Sequence, residues 1–137
     1  MSRPPEQSMR ILICGATPAT LATDAHVAKG AWARAKGLLG RRGLNSGEAL
    51  IFAGCRSIHT VGMRFAIDAV FVDVNWRVVA IYPELRPWRM TRPVWEAWGV
   101  IELEPGTITR AGLRIGDRLT LAAESPDAAG RGNPARA

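Results

Sequence analysis

Two runs, residues 67–72 (IDAVFV) and 77–82 (RVVAIY), constrain the fold of this 137-residue chain more than any other feature. Each is apolar at nearly every position rather than at alternate ones, so both faces of each need covering. Asp73-Val74-Asn75-Trp76 between them has turn chemistry, and a hairpin is expected. A hairpin covered on both faces suits a small rolled or closed sheet better than an open one.

Residues 10–14, 48–52, 98–103 and 118–122 read as further strands, 19–27 as a weaker one, and 56–60 as extended. Ala28, Trp32, Ala35 and Leu39 fall at i, i+4, i+7 and i+11, one face of a helix. Arg34, Lys36, Arg41 and Arg42 gather toward its end, where cations suit the helix dipole, and Gly40 and Gly43 stop it. In Glu104-Pro105-Gly106-Thr107, proline presets one central φ and glycine accepts a positive one at the next, which makes a turn. Residues 107–111 have room for one helical turn. Pro83, Pro87 and Pro93 exclude a regular interior strand over 83–93. The expected architecture is mainly β (α+β): a small barrel-like or rolled antiparallel/mixed sheet of short strands with one helix packed across it.

The length suits one domain. Residues 10–122 are expected to form a single globular β-rich unit between a disordered extension, 1–9, and a disordered tail, 123–137. Either Met1 or Met9 is a credible start. No apolar run approaches the roughly 18 residues of a membrane span, and the polar start with Pro4-Pro5 has no signal-like apolar region. A cytoplasmic location is therefore expected, with Cys14 and Cys55 as reduced thiols.

Three ordered blocks carry a resemblance. The first is Ala33-Arg34-Ala35-Lys36-Gly37-Leu38-Leu39-Gly40-Arg41, followed by Gly47-Glu48-Ala49-Leu50-Ile51-Phe52. The second is Ser57-Ile58-His59-Thr60 with Gly62-Met63, then Ile67-Asp68 and Val70-Phe71-Val72-Asp73. The third is Val100-Ile101-Glu102-Leu103 with Pro105-Gly106, then Gly112-Leu113-Arg114-Ile115-Gly116-Asp117. In that order they resemble the uncharacterised bacterial and archaeal family known as domain of unknown function 192. The resemblance implies a compact β-rich domain and no particular reaction. Many relatives carry F-W-M-K-N-T ahead of P-L-D in the central block. Here His59-Thr60 and Met63-Arg64 occupy that neighbourhood, and Ala66 stands where proline is common.

The richest polar constellation is His59, Thr60, Met63, Arg64 and Asp68, with Trp88 as a wall. Thr60, Arg64 and Asp68 are evenly spaced and would share one face of a continuous strand, a register that Gly62 interrupts. Two readings compete. In one, Arg64 binds an anion and His59 handles a proton in a pocket at the barrel mouth. In the other, Arg64 and Asp68 form an ion pair and the backbone satisfies His59.

Cys55 and His59 form C-x3-H, the material of a metal site or a thiol–imidazole pair. In an extended segment the two lie about 13 Å apart, too far for either without a bend. No metal and no cofactor are expected. Asp73 is expected to open its turn rather than to work with Asp68.

Sixteen of the eighteen basic residues are arginine, and the formal net charge is +6. Arg86, Arg89 and Arg92 interleave with Trp88, Trp95 and Trp98, a pattern compatible with weak single-stranded nucleic-acid binding. A loop whose tryptophans cap the barrel while the arginine heads stay in solvent is the favoured explanation. Phosphate-loop, dinucleotide-binding, nucleophile-elbow and HExxH motifs do not occur. The leading expectation is a non-enzymatic binding module for a small anionic ligand or a peptide, the partner being an unknown small molecule or protein. The alternatives are a small enzyme using Cys55 or His59, and the nucleic-acid binder.

Overall fold

A computed structural model describes residues 9–28 and 42–123. The elements are β1 (Met9–Ile13), β2 (Ala19–Val27), β3 (Glu48–Ala53), β4 (Ile67–Val72), β5 (Val78–Leu85), β6 (Gly99–Leu103), α1 (Thr107–Ala111) and β7 (Leu119–Ala123). The helical pattern of residues 28–39 lies largely outside the described residues, as do the two terminal segments apart from Met9 and Ala123.

The strands form one seven-stranded sheet in the order β5-β4-β6-β3-β2-β1-β7. All neighbours are antiparallel except β2 and β3, which run parallel. The sheet curls until its two edge strands meet at one end. There Val78 N–H donates to the Asp117 carbonyl (2.8 Å), Gly116 N–H to the Val78 carbonyl (2.8 Å) and Leu119 N–H to the Trp76 carbonyl (2.9 Å). The result is a half-barrel closed by a short seam, which matches the rolled, mainly-β expectation.

β4 and β6 are buried along their whole length, as their continuous apolar runs require. One face carries Ile11, Ile51, Val70, Val72, Ile101 and Leu103, packed with Ile108 of α1. Because α1 touches both β2 and β5, it sits inside the curl. The other face carries Phe52, Ile67, Ala69, Phe71 and Val100, covered by Ile58, Met63, Leu44 and Ala97. The inner and outer cores thus share the same strands.

The hairpin turn forms as expected. Asp73 Oδ1 accepts from Asn75 N–H (2.8 Å) and Arg77 N–H (3.0 Å), which places Asp73 in a turn and not beside Asp68. Most strand ends lie within one residue of expectation, and one boundary differs by more. β5 runs on through Pro83 to Leu85, past the expected end at Tyr82. Pro83 is tolerated because β5 is an edge strand, where a missing N–H leaves no ladder partner unpaired.

Candidate functional site

Asp68 is wholly buried on β4, and alternation along the strand turns it to the inner face with Val70. Its carboxylate accepts three backbone hydrogen bonds: Oδ1 from Glu84 N–H (2.8 Å) and Gly106 N–H (3.2 Å), Oδ2 from Ile108 N–H (2.8 Å). Each donor has a local reason to need it. The β4–β5 register slips between the pairs Ile67↔Leu85 and Ala69↔Tyr82, so Pro83 and Glu84 bulge opposite Asp68. Glu84 takes φ 51° there. The N-cap of α1 is Gly106, which has no side chain to cap the first helical amides. Asp68 caps the helix from a neighbouring strand and ties down the bulge with the same group. The expected Arg64–Asp68 ion pair is therefore corrected. Arg64 is exposed in a bend, and the strand begins only at Ile67, so Thr60, Arg64 and Asp68 share no strand face.

Thr60 is also buried and also spent on backbone. Its hydroxyl donates to the Arg86 carbonyl (2.6 Å) and accepts from Arg89 N–H (2.9 Å). Its amide donates to the Arg89 carbonyl (2.8 Å), and its carbonyl accepts from Trp88 N–H (3.0 Å). Thr91 does the parallel job for Ile58, whose amide donates to Thr91 Oγ1 (3.0 Å). These two threonines pin the extended segment around Ile58 to the proline-rich loop, and so fix where Arg86, Trp88 and Arg89 stand. Met63 lies in the outer core.

The remaining residues face solvent. His59 pairs with Met90 across a short antiparallel bridge flanked by the bonds Thr60 N–H to Arg89 O and Thr91 N–H to Ile58 O. Such a non-hydrogen-bonded pair puts the two side chains together on one face. Met90 is 74% exposed and Trp88 67% exposed, and Trp88 holds φ 63°. An open groove of about 430 Å³ runs beside them, lined by Tyr82, Pro83, Leu85, Arg86, Arg89 and Met90 among others, with Glu84 its single acidic residue. The six residues singled out in the sequence thus do not line one pocket. Asp68 faces the inner core, Met63 the outer core, Thr60 the buried seam between two loops, and His59, Arg64 and Trp88 the solvent.

Cys55 is half-buried against the outer core, the environment of a small apolar side chain, while His59 stands in solvent beside Met90. Neither cysteine is in a disulfide. Among the described residues no three His, Cys, Asp or Glu side chains come together as metal ligands would. Sequence reasoning missed the exposure of Met90, for which nothing in the sequence gives a signal. It also missed the burial of Glu102 on β6, where a single acid interrupting the apolar run 98–103 was the available clue.

Comparison with known proteins agrees with this architecture. A Novosphingobium aromaticivorans protein of unknown function superposes with a TM-score of 0.69 at 21% identity, covering 81% of this chain and 83% of the other. A candidate transcription regulator from Sinorhizobium meliloti gives a TM-score of 0.68 at 21% identity, covering 86% and 97%. At that identity the likeness is one of fold. A UPF0127 protein of Pyrococcus furiosus is 38% identical over 63 residues, 46% of this chain and 53% of the relative. The match thus spans about half the length of that curated relative. The model of the family described as "Uncharacterized ACR", domain of unknown function 192, matches residues 14–121. The chain belongs to the domain of unknown function 192 family.

Proposed function

We propose that this protein is a non-enzymatic binding module that takes an acidic peptide segment on the face built from His59, Arg86, Trp88, Arg89 and Met90. The observation that carries the reading is Trp88. A bulky residue at positive φ costs about 1–3 kcal/mol, and the indole recovers little of that by burial because it stands in solvent. A strained residue presented outward is accounted for by something that lands on it. Thr60 positions its loop, Met90 adds a flexible apolar contact, and the guanidinium groups supply bidentate carboxylate recognition. The groove is open, whereas small-molecule sites enclose most of their ligand, which favours a peptide over a small anion. The half-buried Cys55, packed as an apolar group, lends the enzyme reading no support.

The test is fluorescence anisotropy with a labelled peptide of alternating glutamate and leucine, and with a single-stranded oligonucleotide of the same length. Saturable peptide binding is expected, weakened about tenfold or more by Trp88→Gly and by Arg86→Glu with Arg89→Glu. Trp88→Gly relieves the backbone, so its melting temperature should equal or exceed that of the parent. Tighter binding of the oligonucleotide would replace the peptide reading with the nucleic-acid one. Binding that ignores both variants would remove this face altogether.

A further inference from the structure

A second apolar surface shares no residue with the first. Val74 in the β4–β5 turn is 73% exposed, Trp95 is 73% exposed, and both line a groove of about 390 Å³ together with Trp98, Gly54, Arg56, Glu96 and Ala97. Single exposed apolar residues need no explanation, but a contiguous group of two indoles and an isopropyl does. Its floor is rigid. The Trp98 ring sits on that of Trp76, centroids 5.4 Å apart and tilted by 53°. Trp98 N–H donates to the Val72 carbonyl (2.7 Å), and the Trp98 carbonyl accepts from Gly54 N–H (2.7 Å). The anchor is therefore preorganised before any partner arrives, which lowers the ordering cost of association.

The charges on this surface point to the partner. Arg56 and Glu96 are both exposed and both line the groove, yet they form no ion pair with each other. Neither makes a side-chain hydrogen bond to any described residue. One positive and one negative group beside a shared apolar centre is the arrangement a two-fold interface uses. With the axis in the interface plane, each residue meets its counterpart's opposite: Arg56 faces the other copy's Glu96, and the reverse, while the indoles near the axis pack together. A partner of single-sign charge would gain from one of the two groups and be repelled by the other.

We infer that the Trp95–Trp98 groove is a self-association surface, on which a second copy of this chain docks as a symmetric dimer with two reciprocal Arg56–Glu96 ion pairs. The exposed indoles and Val74 offer several hundred Å² per copy, the lower end of what specific interfaces bury, so the dimer should be of micromolar strength. The inference does not depend on the peptide face.

Sedimentation velocity of the full chain over a concentration series, with the charge swap, tests it. The parent should pass from monomer to dimer within the series. Arg56→Glu alone and Glu96→Arg alone each place like charges together and should weaken the dimer about tenfold or more. The double swap, Arg56→Glu with Glu96→Arg, should restore it. Trp95→Ala should abolish it with the melting temperature unchanged, because that side chain stands in solvent. A parent that stays monomeric throughout overturns the inference. So does a dimer indifferent to both single swaps, or a double swap that behaves no better than the singles.

Discussion

Asp68 shows how one side chain can hold a fold together without touching a ligand. Three backbone amides from two other segments converge on it, that of Ile108 in the buried core and those of Glu84 and Gly106 nearer the surface. Replacing it with asparagine keeps the size but leaves one oxygen to accept and turns an NH₂ toward a donor. At least one amide is then unsatisfied, a loss of about 1–3 kcal/mol. Asp68→Ala strands all three and should cost more. Urea unfolding midpoints ought to fall in the order parent, Asp68→Asn, Asp68→Ala; an asparagine variant as stable as the parent would show that the carboxylate is not the cap. The type of this residue was plain in the sequence, and its partners were not. Glu84 is 16 residues away, Gly106 38 and Ile108 40, so no local pattern links them. Thr60 was hidden in the same way, since it is satisfied by a loop 26 to 29 residues on.

Among the elements, β6 carries the tightest constraint. Gly99 lies between Ala53 of β3 and Val72 of β4 in the centre of the sheet. A Cβ there would meet the Phe52 carbonyl oxygen at 2.6 Å and the Ala53 Cα at 3.3 Å, both backbone atoms of a central strand that cannot swing aside. Gly99→Ala should destabilise by about 1–3 kcal/mol through overpacking, measured as a lower melting temperature. A variant that melts with the parent would mean that the β3–β6 pair opens readily. The elements themselves were largely legible, because period-2 alternation and continuous apolar runs are local signals. The end of β5 was not: whether proline stops a strand depends on whether that strand has a neighbour on its N–H side.

At the scale of the molecule, the sheet is one continuous ladder held at its centre and joined weakly at its ends. β4, β6 and β3 are paired on both sides, whereas β5 and β7 meet only through the short seam around Val78 and Asp117. Native-state hydrogen exchange should therefore protect the amides of β4 and β6 most, and release those of the seam and of the outer half of β5 first. Equal protection of seam and centre would instead describe a fully closed barrel. Such a seam also leaves the outer side of β5 open, and Pro83 with the Glu84 bulge keeps that edge from pairing with a stranger's strand. A partner at the adjacent groove is thereby steered to side-chain contacts.

By itself the sequence determined the class of fold, the hairpin at Asp73, the turn at Pro105-Gly106 and the family. Each of these rests on residues close together in the chain, where hydrophobic period and turn chemistry act. Only the tertiary structure decided which polar residues are scaffold and which are surface. Asp68 and Thr60 look as chemical as His59 and Arg64 in the sequence, and the two pairs part company once distant backbone amides and carbonyls arrive to satisfy the first pair. The parallel β2–β3 contact, the curl that puts α1 inside and the exposed tryptophans were settled the same way. A buried hydrogen bond is set by what lies opposite in space, and that is known only when the whole chain has closed around it.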